Sequence, residues 1–190
     1  MNKIIRYICA VAIFTALMCV IAPISIPMIP VPITLATLMV YLISALFSFK
    51  VAPLIIALYV CLGMMGLPVF SNFTSGAAII MGPTGGFILG YIISALLESL
   101  LITLNKNKKW MYPVAMILGT VIIYAFGSAW FMYYMNGKYN FIQTMMACVI
   151  PFLIGDFLKI GCASVISIRL RKFFDTQLKE NQPKNGNRSA

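Results

Sequence analysis

The sequence predicts an all-α integral membrane protein with six transmembrane helices and both termini in the cytoplasm. The first observation behind this is composition: of 190 residues, 62% are hydrophobic and only 9% are charged, whereas soluble domains carry about 25% charged residues. The second is that long apolar runs recur along the chain, and about six of ~20 residues fit its length. The third is the clustering of basic residues on one side of these runs.

The predicted spans follow the apolar runs in order and are separated by prolines, glycines or lysines. They cover approximately residues 5–22, 33–49, 51–66, 87–104, 111–134 and 142–169. We therefore predict one membrane domain over residues 1–174 and a polar, disordered cytoplasmic tail over residues 175–190.

The orientation rests on Lys and Arg, which are in excess in cytoplasmic loops. The N-terminus, the turn at Lys50, the loop 106–109 and the C-terminal tail hold twelve of the fourteen basic residues. Lys138 lies on the opposite side, and Lys159 lies within the last span. The net charge of +10 is thereby explained by topology, and no nucleic-acid partner is expected.

Three unusual connections fall on the predicted outer side, namely residues 22–30, 67–86 and 135–141. They contain prolines and glycines but almost no charge. Such backbone is tolerated at membrane depth only where protein buries it or where it lines a cavity. We expect these outer loops to fold inward and cap a ligand pocket.

Asp156 and Lys159 lie within an otherwise uncharged apolar run, from Phe141 to Ile168. A charge at the centre of a bilayer costs at least ~2.5–3.5 kcal/mol on insertion scales. Three residues apart on a helix, the two side chains can neutralise each other. The pair is either a structural ion pair that orients the last helix or part of a polar ligand site, which is the usual role of intramembrane ionisable residues.

Further candidate site residues lie before span four and in span five. Glycines at 82, 85 and 86, with Thr84, allow close approach of backbone to a ligand at a helix N-terminus, although a turn without a ligand is equally compatible. Tyr124 can stack against a flat ligand or lie at the membrane interface. Glu98 is expected to pair with a basic residue on the cytoplasmic side.

The first span carries Ala12 and Ala16, a pair of small residues spaced to lie on one helix face. Small residues allow close packing of membrane helices. The pair either packs within the chain or docks another membrane subunit.

The sequence disfavours enzymatic and metal-dependent functions. It contains no histidine and only four acidic residues, so acid–base or metal-binding groups are scarce. No GxxxxGK[ST] segment is present, which excludes ATP hydrolysis by a P-loop. We predict no catalytic residue, no metal and no cofactor.

Five segments together resemble the BioY family of biotin-specific S components of energy-coupling factor (ECF) transporters. They are Pro30–Leu35 (PVPITL), Leu62–Phe70 (LGMMGLPVF), Gly82–Gly86 (GPTGG), Gly119–Thr120 with Tyr124, Gly127 and Trp130, and Pro151–Asp156 (PFLIGD) with Lys159. One departure is Ala36, where many relatives have glutamine. The resemblance covers nearly all of residues 5–172.

The resemblance implies a six-helix protein of the bacterial cell membrane that captures biotin with high affinity. Its implied partners are a transmembrane coupling (T) subunit, which would dock on Ala12 and Ala16, and two cytoplasmic ATPase subunits. The implied ligand residues on the last helix are Asp156 and Lys159, and Asn72 corresponds to an asparagine of the family's third loop. Thr34 lies in one of the matching segments and is included among the candidate binding residues.

Chemistry suggests an orientation for biotin, with its carboxylate at Lys159 and its ureido group toward Asp156 or Asn72. Three alternatives remain at this point. One is an S component for another vitamin, and another is a solitary secondary carrier with Asp156 as its proton site. The third, a membrane enzyme, has little support from the residues.

Overall fold

The computed structural model describes residues 3–28, 30–105 and 108–180. Within these ranges the chain forms helices joined by short connections and two longer loops. The helices are α1 (Lys3–Ile21), α2 (Ala36–Leu46), α3 (Ala52–Met64), α4 (Ala77–Met81), α5 (Gly85–Leu104), α6 (Met111–Tyr134), α7 (Phe141–Cys148) and α8 (Ile150–Glu180). The fold is thus mostly helical, as the composition predicts.

Among the described residues, three helical segments are long and apolar enough to cross a membrane: Gly85–Leu104, Met111–Tyr134 and Ile150–Arg171. The apolar segments Tyr7–Ile21, Ala36–Leu46 and Ala52–Met64 are shorter. With 11 residues in α2 and a rise of 1.5 Å per residue, this helix is about 17 Å long, against a hydrocarbon core of ~30 Å. The second predicted span, 33–49, therefore consists of a short helix with extended residues at both ends.

The first long loop folds back on itself. Strands β1 (Ser25–Ile26) and β2 (Ile33–Thr34) pair in antiparallel register, with Ser25 opposite Thr34. The second long loop contains a short 3-10 turn, Ser71–Phe73, followed by α4. These loops occupy the segments that the sequence predicts to fold inward.

The sixth predicted span, 142–169, is divided into two helices. Helix α7 ends at Cys148, and Val149 leaves the helical conformation (φ −125°, ψ −56°) before α8 begins. Pro151 then occupies the first turn of α8, where a missing N–H costs least. The last apolar run is therefore interrupted at Val149, just before this proline.

Helices α5 and α6 pack closely because four glycines allow side chains of the other helix to approach their backbone. An added Cβ at any of these glycines would meet a facing residue tightly or overlap it. The facing residues are Trp130 at Gly86, Ile123 at Gly90, Glu98 at Gly119 and Phe87 at Gly127. This pair of helices forms one wall of the core.

Helix α8 continues to Glu180. Residues 181–190, the greater part of the predicted polar tail, lie outside the described residues. The division of the chain at residue 175 stays a prediction.

Candidate ligand-binding site

A cavity lies between the helices and beneath the two long loops. Its volume is about 590 Å³ when counted to the open mouth. The lining residues are Ala22, Val31, Pro32, Thr34, Ala36, Thr37, Tyr59, Phe70, Ser71, Thr84, Phe87, Ile88, Tyr91, Ile123, Tyr124, Phe152, Asp156 and Lys159. Both loops and five helices contribute to this wall, whereas residues 135–141 do not.

Asp156 and Lys159 form an ion pair in the cavity wall. The distance between Lys159 Nζ and Asp156 Oδ1 is 2.9 Å, and the two side chains are 11% and 4% exposed, respectively. An ion pair buried to this degree is favourable only if further hydrogen bonds satisfy the remaining donors and acceptors. The neighbouring residues supply these bonds.

The ammonium group of Lys159 has three N–H donors, and all three are used within the protein. Besides Asp156, Nζ donates to the backbone oxygen of Thr34 at 2.8 Å and to Thr37 Oγ1 at 2.9 Å. An incoming anion can therefore reach this ammonium only by replacing one of these acceptors. Since Thr34 belongs to β2, its contact also ties the first loop to α8.

The carboxylate of Asp156 accepts hydrogen bonds from three side chains and can still accept another from a ligand. Oδ1 accepts from Lys159 and, at 3.2 Å, from Thr37 Oγ1. Oδ2 accepts from the hydroxyl of Tyr124 at 2.6 Å. An ionised carboxylate offers about four lone-pair sites, so that Oδ2 can accept one further N–H from a ligand.

Sequence reasoning missed four polar residues of this wall, namely Thr37, Tyr59, Ser71 and Tyr91. Thr37 bridges the ion pair, and its only signal in the sequence is its place three residues after Thr34, just beyond the matching segment Pro30–Leu35. Tyr91 is 8% exposed and lines the cavity, where its hydroxyl faces Thr34. A tyrosine in an apolar span usually indicates packing, so its sequence context did not distinguish it.

Of the binding residues predicted around the end of the second loop, some line the cavity and others do not. Thr84 lines the cavity, whereas the three glycines around it do not. The backbone oxygen of Gly82 accepts from Trp130 Nε1 at 2.9 Å, and side chains at Gly85 and Gly86 would overlap Ile80 and Trp130. In this structure Gly85 allows the start of α5 to pack against α4, and Gly86 allows it to pack against α6.

Asn72 lies next to the cavity residue Ser71 but is itself exposed. Its backbone is in the left-handed region (φ 56°, ψ 32°), which asparagine tolerates better than most residues. Its N–H donates to Ser25 Oγ at 3.0 Å, and Ser25 Oγ donates to Asn72 Oδ1 at 2.9 Å. Asn72 thus fastens one loop to the other above the cavity.

The small residues of the first helix, Ala12 and Ala16, lie away from the cavity. Both are exposed, whereas their neighbours Val11 and Thr15 are buried against the rest of the chain. The outer face of α1 is therefore available for contact with lipid or with another protein.

Fold and site together define a helical membrane protein that encloses a polar binding site beneath two loops. The family model described as the BioY family matches residues 1–176. The chain is 38% identical over 167 residues to the biotin transporter BioY of Thermotoga maritima, covering 88% of this chain and 96% of the relative. A probable biotin transporter BioY from Pyrococcus horikoshii is 34% identical, with 85% and 93% covered.

The chain belongs to the BioY family. Its fold is also similar to a 2.1 Å crystal structure described as the S-component for biotin from an ECF-type ABC transporter. The TM-score is 0.81 at 24% sequence identity, covering 90% of this chain and 95% of the solved chain. The membership implied by the five sequence segments is confirmed.

Proposed function

We propose that this protein captures biotin and acts as the substrate-binding S component of an ECF-type transporter, without altering its substrate chemically. The relatives reported above are named as biotin transporters, and this supports the proposal. The single structural observation that carries it is the buried ion pair of Asp156 and Lys159 in the cavity wall. A ligand with both an anionic group and N–H donors matches those two groups.

In the proposed complex, the carboxylate of biotin binds Lys159 and a ureido N–H donates to Asp156 Oδ2. The thioether body lies against the aromatic and aliphatic part of the wall, and the Tyr91 hydroxyl is a further hydrogen-bonding group for the ligand. Thr34, Thr84 and Tyr124 complete the proposed binding set. The glycines of the second loop and Asn72 act by shaping and joining the loops.

Ligand entry requires the loops above the cavity to part, because Ser25 and Asn72 join them by hydrogen bonds. The two loops are the lining segments that are not held within long helices. We therefore assign them the role of a lid that moves outward when biotin enters.

The proposed topology has six transmembrane segments, with both termini in the cytoplasm of a bacterial cell and the lid outside. Energy would come from two ATPase subunits through a membrane-embedded T subunit. The exposed Ala12 and Ala16 support a docking face for that subunit on α1, because small residues allow helices to approach closely.

Mass spectrometry of the small molecules that co-purify with the protein tests the substrate directly. We expect about one biotin per chain, and saturable rebinding after its removal. A different vitamin at that ratio would replace biotin in the proposal. Uptake by this chain alone that an uncoupler abolishes, and that ATPase subunits do not change, would instead indicate a secondary carrier.

A further inference from the structure

A second buried acid, Glu98, lies in α5 outside the binding site. Its side chain is fully buried (0% exposed). Ser94 Oγ donates to Oε1 at 2.6 Å, while Oε2 is buried and has no hydrogen-bond partner among the described residues. The carboxyl group also lies against Gly119, where an added Cβ would overlap it.

No basic side chain compensates this acid in the part of the chain that the structure describes, where the ion pair found is Lys159 with Asp156. The expected pairing of Glu98 with a cytoplasmic base is therefore not observed there. Burial of an unpaired carboxylate in an apolar interior is so costly that such groups bind a proton instead. We propose that Glu98 is an uncharged, protonated acid that positions helices α2, α5 and α6 beneath the ligand cavity.

The count of hydrogens around the carboxyl group supports a proton on Glu98. Ser44 of α2 faces this carboxyl, but it already donates its hydroxyl hydrogen to the backbone oxygen of Val40 at 2.7 Å. Ser94 supplies the hydrogen in its own bond to Oε1. Neither serine therefore donates a hydrogen to Oε2, and a negative charge on that oxygen would have no hydrogen-bond donor among the described residues.

A hydrogen bond between α2 and α6 lies between Glu98 and the binding site. Tyr41 and Thr120 are 2.6 Å apart, and Thr120 donates its hydrogen to the backbone oxygen of Met116. Tyr41 is thus the donor in their shared bond. Tyr41 is one turn from Thr37, and Thr120 is one turn from Tyr124, so this bond lies directly beneath the two hydroxyls that hold Asp156.

The consequence is a two-layer arrangement. The upper layer binds the ligand, and the lower layer, from Tyr41 to Glu98, holds the helices that carry the upper hydroxyls in place. An uncharged side chain of the same shape should satisfy the lower layer, while an apolar one should not. The protonation state of Glu98 is independent of the ligand's identity, but its effect on biotin affinity rests on the proposed function.

Infrared spectroscopy tests the proton without any ligand. The chain has only two glutamates, Glu98 and Glu180. In protein labelled with ¹³C at the glutamate side-chain carboxyl, we expect an isotope-sensitive band of a protonated acid. This band should be lost in Glu98→Gln and kept in the matched control Glu180→Gln. Absence of the band in the parent protein, or its survival in Glu98→Gln, would overturn the proposal.

Biotin titration then tests the positioning role. We expect Glu98→Gln to retain the parent affinity within about threefold and Glu98→Leu to weaken it about tenfold or more, because an unsatisfied layer costs of the order of one to two hydrogen bonds. If the leucine variant does not fold, the glutamine variant and the infrared band still decide. A loss of biotin affinity in Glu98→Gln would contradict an uncharged Glu98. Biotin binding that requires sodium in the parent protein but not in Glu98→Gln would likewise contradict it and would indicate a carboxylate that binds a cation.

Discussion

Replacement of Lys159 by methionine should remove most of the preference of this protein for an anionic ligand. Methionine keeps an unbranched side chain of similar reach but no charge. In the structure, the ammonium group makes three bonds of 2.8–2.9 Å, and the ligand carboxylate is expected to replace one of those acceptors. The variant offers no cationic donor to that carboxylate.

Two effects contribute to the magnitude, and they differ in which ligands they affect. A hydrogen bond to a charged group is worth about 1.5–3 kcal/mol, so its loss weakens binding of the acid roughly 10- to 150-fold. In addition, Asp156, whose side chain is only 4% exposed, loses its cation, which disturbs the site for any ligand. The second effect applies equally to an uncharged derivative of biotin.

The diagnostic quantity is therefore the ratio of the Kd values for biotin and for biotin amide, measured by titration calorimetry on the same preparations. We expect this ratio to change by roughly 10- to 150-fold in the direction that disfavours the acid. Lys138→Met is the matched control, because Lys138 is exposed and lies outside the cavity lining. An unchanged ratio in Lys159→Met would refute the placement of the carboxylate, even if both ligands bound more weakly.

Three further predictions concern other parts of the molecule. Tyr91→Phe should weaken the binding of biotin by roughly three- to tenfold, as expected for one hydrogen bond of about 0.5–1.5 kcal/mol. The thermal unfolding temperature should not fall, and an unchanged Kd would show that Tyr91 does not contribute to the site. Gly119→Ala should lower the unfolding temperature measurably, because its Cβ would overlap Glu98 and overpacking costs about 1–3 kcal/mol; an unchanged temperature would show that the helices adjust freely. Replacement of Ala12 and Ala16 by leucine should leave biotin affinity unchanged but abolish co-purification with the T and ATPase subunits, and a retained complex would place the docking face elsewhere.

Much of the fold follows from the sequence because apolar runs and their interruptions are local features. The predicted fifth span, 111–134, coincides with Met111–Tyr134, since a lysine-rich loop precedes it and glycine follows shortly after. The break at Val149 was harder to locate. Pro151 signals an interruption, but whether the helix bends or ends depends on how the preceding residues pack.

The binding site was only partly predictable, because several of its members are identified by their neighbours across the chain. Asp156 and Lys159 stand out as charges in an apolar run, so a sequence alone reveals them. Thr37 becomes significant only through its contacts with α8, which is more than a hundred residues away in sequence. Tyr91 lies in the cavity wall because α5 packs against α6, and no local sequence pattern predicts that packing.

The occupied donors of Lys159 have a consequence for selectivity. Asp156, Thr37 and the backbone oxygen of Thr34 already satisfy this ammonium, so an anion must displace one of these acceptors before it makes its own contact. Chloride brings no hydrogen-bond donor for Asp156 to offset that exchange. Retention of a ligand therefore depends on contacts along the whole cavity wall and not on its negative charge alone.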